Sequence, residues 1–197
     1  MEKPATIKNK ILKKTTTELE EEVAQCLIDI ELSPASDIKN EVKAIKIVSC
    51  ELIDTEKLKK KTILVYIPYK TYMTYVKKIH KKLISEIEKK TKKYVVIVAK
   101  RETLKANQKN KKFKIIPRSR TLKHVYEAML EDIVAPSEII GQRISMNTDG
   151  KRLYKIILDS KERQRDNIED KLHSFAAVYK AITKRDVVFS LPPTNEK

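Results

Sequence analysis

Arg143-Ile144-Ser145-Met146-Asn147-Thr148-Asp149-Gly150-Lys151-Arg152-Leu153-Tyr154-Lys155-Ile156-Ile157-Leu158 holds two strand-like runs, Arg143 to Thr148 and Lys151 to Leu158, on either side of Asp149-Gly150. Asp-Gly between such runs signals a hairpin, because a two-residue type I′ turn needs positive φ at its central residues and glycine adopts that cheaply. The hairpin leads into helical periodicity from about Glu162 to Thr183, with Ile168, Leu172, Phe175, Tyr179 and Ile182 as the apolar stripe. Asp186 to Leu191 is a last strand, stopped by Pro192-Pro193. Upstream, Thr121 can cap a helix whose buried face is Leu122, Val125, Met129 and Ile133, and Pro136 to Gly141 reads as one helical turn closed by glycine.

The first half repeats this order. Thr17 and Glu20 form a capping-box pattern ahead of Leu19, Val23, Cys26, Leu27 and Ile30, a helix that Pro34 ends. Ser36 can cap a short second helix near Asp37 to Lys43. Ala44 to Asp54 and Thr62 to Ile67 are strand runs joined by a charged turn at Lys57 to Lys61. A long amphipathic helix, about Tyr69 to Lys90, buries Tyr72, Val76, Ile79, Leu83 and Ile87, and Tyr94 to Ala99 is another buried strand. The fold class is therefore mixed α/β (α+β), with two successive hairpin-helix-strand units. The expected boundaries are a basic, poorly ordered tail over residues 1–14, a first unit over 15–100, a basic loop over 101–120 and a second unit over 121–197. The two units share an order of elements and no visible sequence identity.

Charge narrows the function. Forty-three Lys and Arg oppose 27 Asp and Glu, a formal net charge of +16. Self-repulsion on that scale is relieved by an anionic partner, most often nucleic acid. A membrane is the weaker alternative. No apolar run approaches the ~20 residues of a spanning helix, and Met1 to Lys14 lacks the apolar stretch of a secretory signal and a glycine for myristoylation. The chain reads as soluble and intracellular. Cys26 and Cys50 match no metal or redox spacing and read as buried thiols. Only Gly141 and Gly150 occur, nine apart, which excludes glycine-rich phosphate loops.

No constellation asks for catalysis. His80, His124 and His173 each fall on a helix without a partner at ligand spacing, and read as surface or boundary residues. Glu131 and Asp132 are helix neighbours that point apart, so they suit pairing with basic side chains or backbone donors better than a two-carboxylate site. The expectation is no enzyme, no metal and no cofactor.

The basic residues carry the functional signal. Lys109, Lys111, Lys112, Lys114, Arg118, Arg120 and Lys123 crowd into fifteen positions, mostly outside any helix. One aromatic, Phe113, is too few for a base-stacking platform there, so phosphate contact is the better match. The planar forks of Arg118 and Arg120 suit phosphate oxygens. Arg143, Lys151 and Arg152 around the second hairpin are further candidates.

Pro117-Arg118-Ser119-Arg120-Thr121-Leu122 leads into Leu130-Glu131-Asp132-Ile133-Val134. Pro136-Ser137-Glu138-Ile139-Ile140-Gly141, Arg143-Ile144, Asp149-Gly150, Leu158-Asp159, Ser174-Phe175 and Val178-Tyr179-Lys180 follow in register. This stretch closely resembles the eukaryotic small-subunit ribosomal protein seven family. The resemblance implies a non-catalytic structural constituent of the small ribosomal subunit. The implied partners are small-subunit ribosomal RNA, neighbouring ribosomal proteins and ribosome assembly factors. It further implies a part in nucleolar maturation of that RNA, residence in the cytoplasmic ribosome, and no membrane partner. A stand-alone RNA-binding regulatory module is the rival reading; it would not sediment with subunits. A nucleic-acid-processing enzyme would need a carboxylate cluster for metal, which the sequence lacks.

Overall fold

The computed structural model describes residues 9–13, 15–33, 38–54, 61–103, 117–159 and 168–192, with backbone alone at 168–170. Pro34, the cap expected at Ser36, most of the turn before Lys61 and the helical start from Glu162 lie outside them.

The elements are α1 (Glu18–Leu32), α2 (Lys39–Ala44), β1 (Ser49–Ile53), β2 (Thr62–Pro68), the long helix α3, β3 (Tyr94–Lys100), α4 (Leu122–Val134), β4 (Ile139–Met146), β5 (Arg152–Leu158), α5 (Ile168–Thr183) and β6 (Asp186–Ser190). Helix α3 runs from Tyr69–Thr71 through a π-helical turn, Tyr72–Val76, to Lys77–Thr91. Two three-stranded sheets form, in the orders β1-β2-β3 and β4-β5-β6. In each, the hairpin is antiparallel and the strand after the helix pairs parallel with the second hairpin strand. The repeated order of elements is thus a repeated topology. Even the helix ends agree: Lys92 and Lys184 both adopt a left-handed φ, and each N–H donates to the carbonyl four residues back, at 2.9 Å.

Strands β2 and β3 are continuously apolar because both faces are buried. Ile63, Val65 and Ile67, beside Val95, Ile97 and Ala99, pack under α1, α2 and α3. Leu64, Val96 and Val98 point the other way into a second core, with Val125, Met129, Ile133, Val178, Tyr179, Ile156, Leu158, Val187 and Phe189. The layers therefore run helices, first sheet, α4 and α5, second sheet. The far face of the second sheet has no layer on it among the described residues, and Arg143, Lys155 and Val188 are exposed there.

Several expectations change. The tail expected to be loose is packed at its end. Ile11 is buried and bridges Ile47, and Lys10 donates to the carbonyls of Val42 (2.9 Å) and Lys43 (3.2 Å) at the end of α2 while pairing with Glu31 (2.8 Å). The strand expected from Ala44 shortens to Ser49–Ile53. The helical turn expected at Pro136 to Gly141 is absent. A cis Ala135-Pro136 peptide is followed by β4, whose register shifts between Ile139 and Gly141. The two-residue type I′ turn is replaced by a three-residue loop. Asn147 accepts from Gly150 N–H (3.0 Å) and donates to Lys151 O (3.0 Å), and only Gly150 has positive φ, at 76°. This is the geometry of a type I turn followed by a left-handed residue.

Thr121 does precede α4, yet its hydroxyl donates back to Arg118 O (2.6 Å) and caps no helical N–H. Leu122 is exposed instead of buried, since it lies in the first turn beyond the reach of the sheets. On α5 the buried line is Ser174, Val178, Tyr179 and Thr183, while Leu172, Phe175 and Ile182 are half-buried. The helix is flanked by both sheets, so no single stripe describes it. Phe175 meets Phe189 edge-on at 6.1 Å.

Candidate nucleic-acid interface

Lys109, Lys111, Lys112 and Lys114 lie outside the described residues. The rest fall into two groups. Arg118 and Arg120 occupy a single 3-10 turn, Arg118–Arg120, directly before α4, and Lys123 sits in the first helical turn. All three are exposed. Pro117 starts the turn, and Arg120 N–H donates to its carbonyl (3.0 Å), so both guanidinium stems leave from a rigid point. The first turn of α4 has no acidic residue and no side-chain cap. Three cations therefore stand at the positive end of a helix dipole, and among the described residues their one carboxylate partner is Glu127, 3.8 Å from the exposed ammonium of Lys123. Their mutual repulsion falls when an anion, such as a phosphate, binds between them and the free helical N–H groups.

The second group lies on the outer sheet. Arg143 and Lys155 are direct partners across the antiparallel β4-β5 pair, both exposed. Like charges directly opposite are destabilising, and a bound anion reverses that sign. Lys151 and Arg152 follow at the hairpin end, also exposed. Lys155 was not among the sequence candidates; its signal was the alternation of β5, which puts it on the face opposite Ile156. Among the described residues no ion pair or hydrogen bond joins the hairpin group to the Arg118–Lys123 group.

Helix α1 carries Glu18, Glu20, Glu21, Glu22, Asp29 and Glu31, an acidic face suited to basic neighbours or solvent. Glu18 is exposed, and several of the others are paired within the fold. Glu20 is buried, closes the capping box with Thr17, receives Cys50 N–H (3.4 Å) and meets Lys13 (3.4 Å). Glu22 binds Lys93 (3.0 Å), and Asp29 binds Lys90 (3.3 Å). Farther off, Lys171 binds Glu88 (2.9 Å). The positive excess is therefore concentrated on residues that make no such pairs.

His124 and His173 are exposed, as expected. His80 departs from expectation: it is buried, edge-on to Tyr72 at 6.4 Å, and burial lowers its pKa to about 4. Cys26 and Cys50 are buried free thiols, and burial pushes Cys50 up to about 12, the reverse of a reactive cysteine. Asp132 pairs with Arg101 and accepts Ala99 N–H (3.1 Å), as its sequence context suggested. Among the described residues no three metal-ligating side chains meet, and no helix is long and apolar enough to cross a membrane.

Comparison with known proteins agrees over nearly the whole chain. Residues 7–191 match the family described as Ribosomal protein S7e. Small ribosomal subunit protein eS7 of Avicennia marina is 41% identical over 179 residues, covering 90% of this chain and 91% of its own length. Small ribosomal subunit protein eS7z of Arabidopsis thaliana is 40% identical with the same coverage. Small ribosomal subunit protein eS7B of Saccharomyces cerevisiae is 36% identical over 190 residues, covering 95% of this chain and 97% of its own length. Matching of this extent spans both hairpin units and the basic turn before α4, and the chain belongs to the ribosomal protein S7e family.

Proposed function

We propose that this protein is a structural constituent of the small ribosomal subunit that binds ribosomal RNA through phosphate contacts and has no catalytic role. The observation that carries the reading is the near full-length identity to relatives named as small-subunit proteins. The exposed cations Arg118, Arg120, Lys123, Arg143, Lys151 and Arg152 supply the mechanism, and Lys109, Lys111, Lys112 and Lys114 extend the basic segment. Each neutralised phosphate releases condensed counterions, so binding is driven largely by their entropy. Neighbouring ribosomal proteins and assembly factors are the further partners. Residence follows: the cytoplasmic ribosome, and the nucleolus while the subunit matures.

The tagged protein is expected in small-subunit and precursor fractions of a sucrose gradient. A pool confined to the top of the gradient overturns the assignment and favours a stand-alone RNA-binding module. In a salt titration on structured ribosomal RNA, replacing Lys111, Lys112, Arg118 and Arg120 with Ala is expected to flatten the log–log slope by about one unit for each phosphate no longer neutralised. An unchanged slope means that these residues touch no phosphate.

A further inference from the structure

The first turns of α3 carry a surface that the reading above leaves unused. From Tyr69 to Ser85 the chain has no Asp or Glu. Tyr69, Met73 and Tyr75 are 49%, 43% and 36% exposed, although the opposite side of the helix, from Tyr72 to Ile87, is buried in the core. Tyr69, Met73, Lys77 and Lys81 follow at intervals of four, so the strip that starts at the Tyr69 ring continues through Met73 to ammonium groups two turns on, and Tyr75 precedes Lys78 by three, which makes that ring and that ammonium group neighbours. The π-helical turn Tyr72–Val76 adds a residue to this part of the helix and widens the spread of its side chains.

Two energetic observations say that the surface is built for an anion. Lysines Lys77, Lys78 and Lys81 have no carboxylate partner among the described residues, whereas Lys89, Lys90 and Lys93 near the other end are paired with Glu86, Asp29 and Glu22. The rings add a second kind of affinity. Tyr69 is held under the Arg101 guanidinium, 5.4 Å from the ring centroid, and Asp132 fixes Arg101 in turn. One face of the ring is therefore occupied while the residue stays half exposed, so little ordering remains when a flat group stacks on it.

We propose that the Tyr69–Lys81 surface binds unpaired RNA nucleotides, bases stacking on Tyr69 and Tyr75 and phosphates meeting Lys77, Lys78 and Lys81. Duplex RNA hides its base faces and would gain only the ionic part. The surface thus differs in kind from the basic segment before α4, which has many cations and few rings. The inference deepens the RNA-binding reading and rests on it.

The test uses the full chain, a labelled short oligouridylate and a blunt RNA duplex, with affinities read by fluorescence anisotropy across salt. Tyr69→Ala with Tyr75→Ala is expected to weaken oligouridylate binding by about 5- to 150-fold for each stacked base, with the salt slope and duplex binding unchanged. Tyr69→Phe with Tyr75→Phe, which keeps both rings, is expected to bind as wild type. Lys77→Ala with Lys81→Ala is expected to flatten the slope on oligouridylate. No loss in the Ala pair, or an equal loss on duplex and single strand, overturns the proposal. So does preferential loss of binding to an acidic peptide, which would assign the surface to a protein partner. Wild type that binds duplex but not oligouridylate overturns this inference alone, and wild type that binds neither overturns the RNA-binding reading with it.

Discussion

Asp132→Ala removes the carboxylate that joins the two halves of the molecule. Asp132 stands on α4, and its oxygens accept from Arg101 beyond the end of β3 and from Ala99 N–H within it. The Asp132 and Arg101 side chains are 7% and 12% exposed, so water replaces neither partner easily. Breaking a buried pair from one side costs about 3–5 kcal/mol, and the orphaned Ala99 N–H about 1–3 kcal/mol. These overlap, since relaxation after the first loss admits water to the second. A total of about 4 kcal/mol is expected, a large share of the roughly 5–15 kcal/mol that holds a typical domain. With a urea dependence of about 2–3 kcal/mol per molar, the unfolding midpoint is expected to fall by on the order of 1–2 M. Asp132→Asn keeps an acceptor for Ala99 and is expected to lie between. Arg101→Met alone strands the carboxylate, while Arg101→Met with Asp132→Ala strands no charge, so the two losses are expected to be sub-additive by at least about 2 kcal/mol. A loss below about 1 kcal/mol, or additive single losses, would refute the claim that this pair clasps α4 to the first sheet.

Two further outcomes are expected. Because His80 has a folded pKa of about 4 against an ordinary 6.5, the unfolded chain takes up the proton first as pH falls; the contribution is fully present above about 6.5 and is lost towards 4, on the order of 3 kcal/mol. His80→Phe is expected to remove that part of the acid sensitivity in urea melts from pH 7 to 4, and an unchanged profile would place the imidazole in water. Gly150→Val forces a β-branched residue into φ 76°, which costs about 1–3 kcal/mol although no neighbour lies within 4 Å of the added Cβ; unchanged thermal stability would mean that the loop relaxes to another turn.

Much of the architecture was legible locally. The unbroken runs Thr62 to Ile67 and Tyr94 to Ala99 announced strands buried on both faces, and both faces are covered. The helical spacing of Tyr72, Val76, Ile79, Leu83 and Ile87 named residues that are all buried. The Thr17/Glu20 capping box forms as read. Family membership was legible too, because residues 117 to 180 hold many matching positions in register. Errors came where local signals were ambiguous. Asp149-Gly150 allows a two- or a three-residue loop, and the choice depends on the register of the flanking strands. Pro136 to Gly141 has the composition of a helical turn, yet pairing of Ile139 with Leu158 draws it into a strand.

The sequence alone established most of the elements, their repeated order, the net positive charge and the family, because each rests on neighbours in the chain or on matching residue by residue. Tertiary structure decided which charges remain free. Lys93 meets Glu22 across 71 residues and Lys171 meets Glu88 across 83, while Arg143 and Lys155 are set side by side across the β4-β5 pair. It also buried His80 against Tyr72 and brought Arg101 to the ring of Tyr69. A cation's availability is a property of its surroundings within a few ångströms, and folding assembles those surroundings from distant parts of the chain. Counting lysines along the sequence therefore measures the total charge, whereas the field at the surface depends on the pairing that only the packed layers produce.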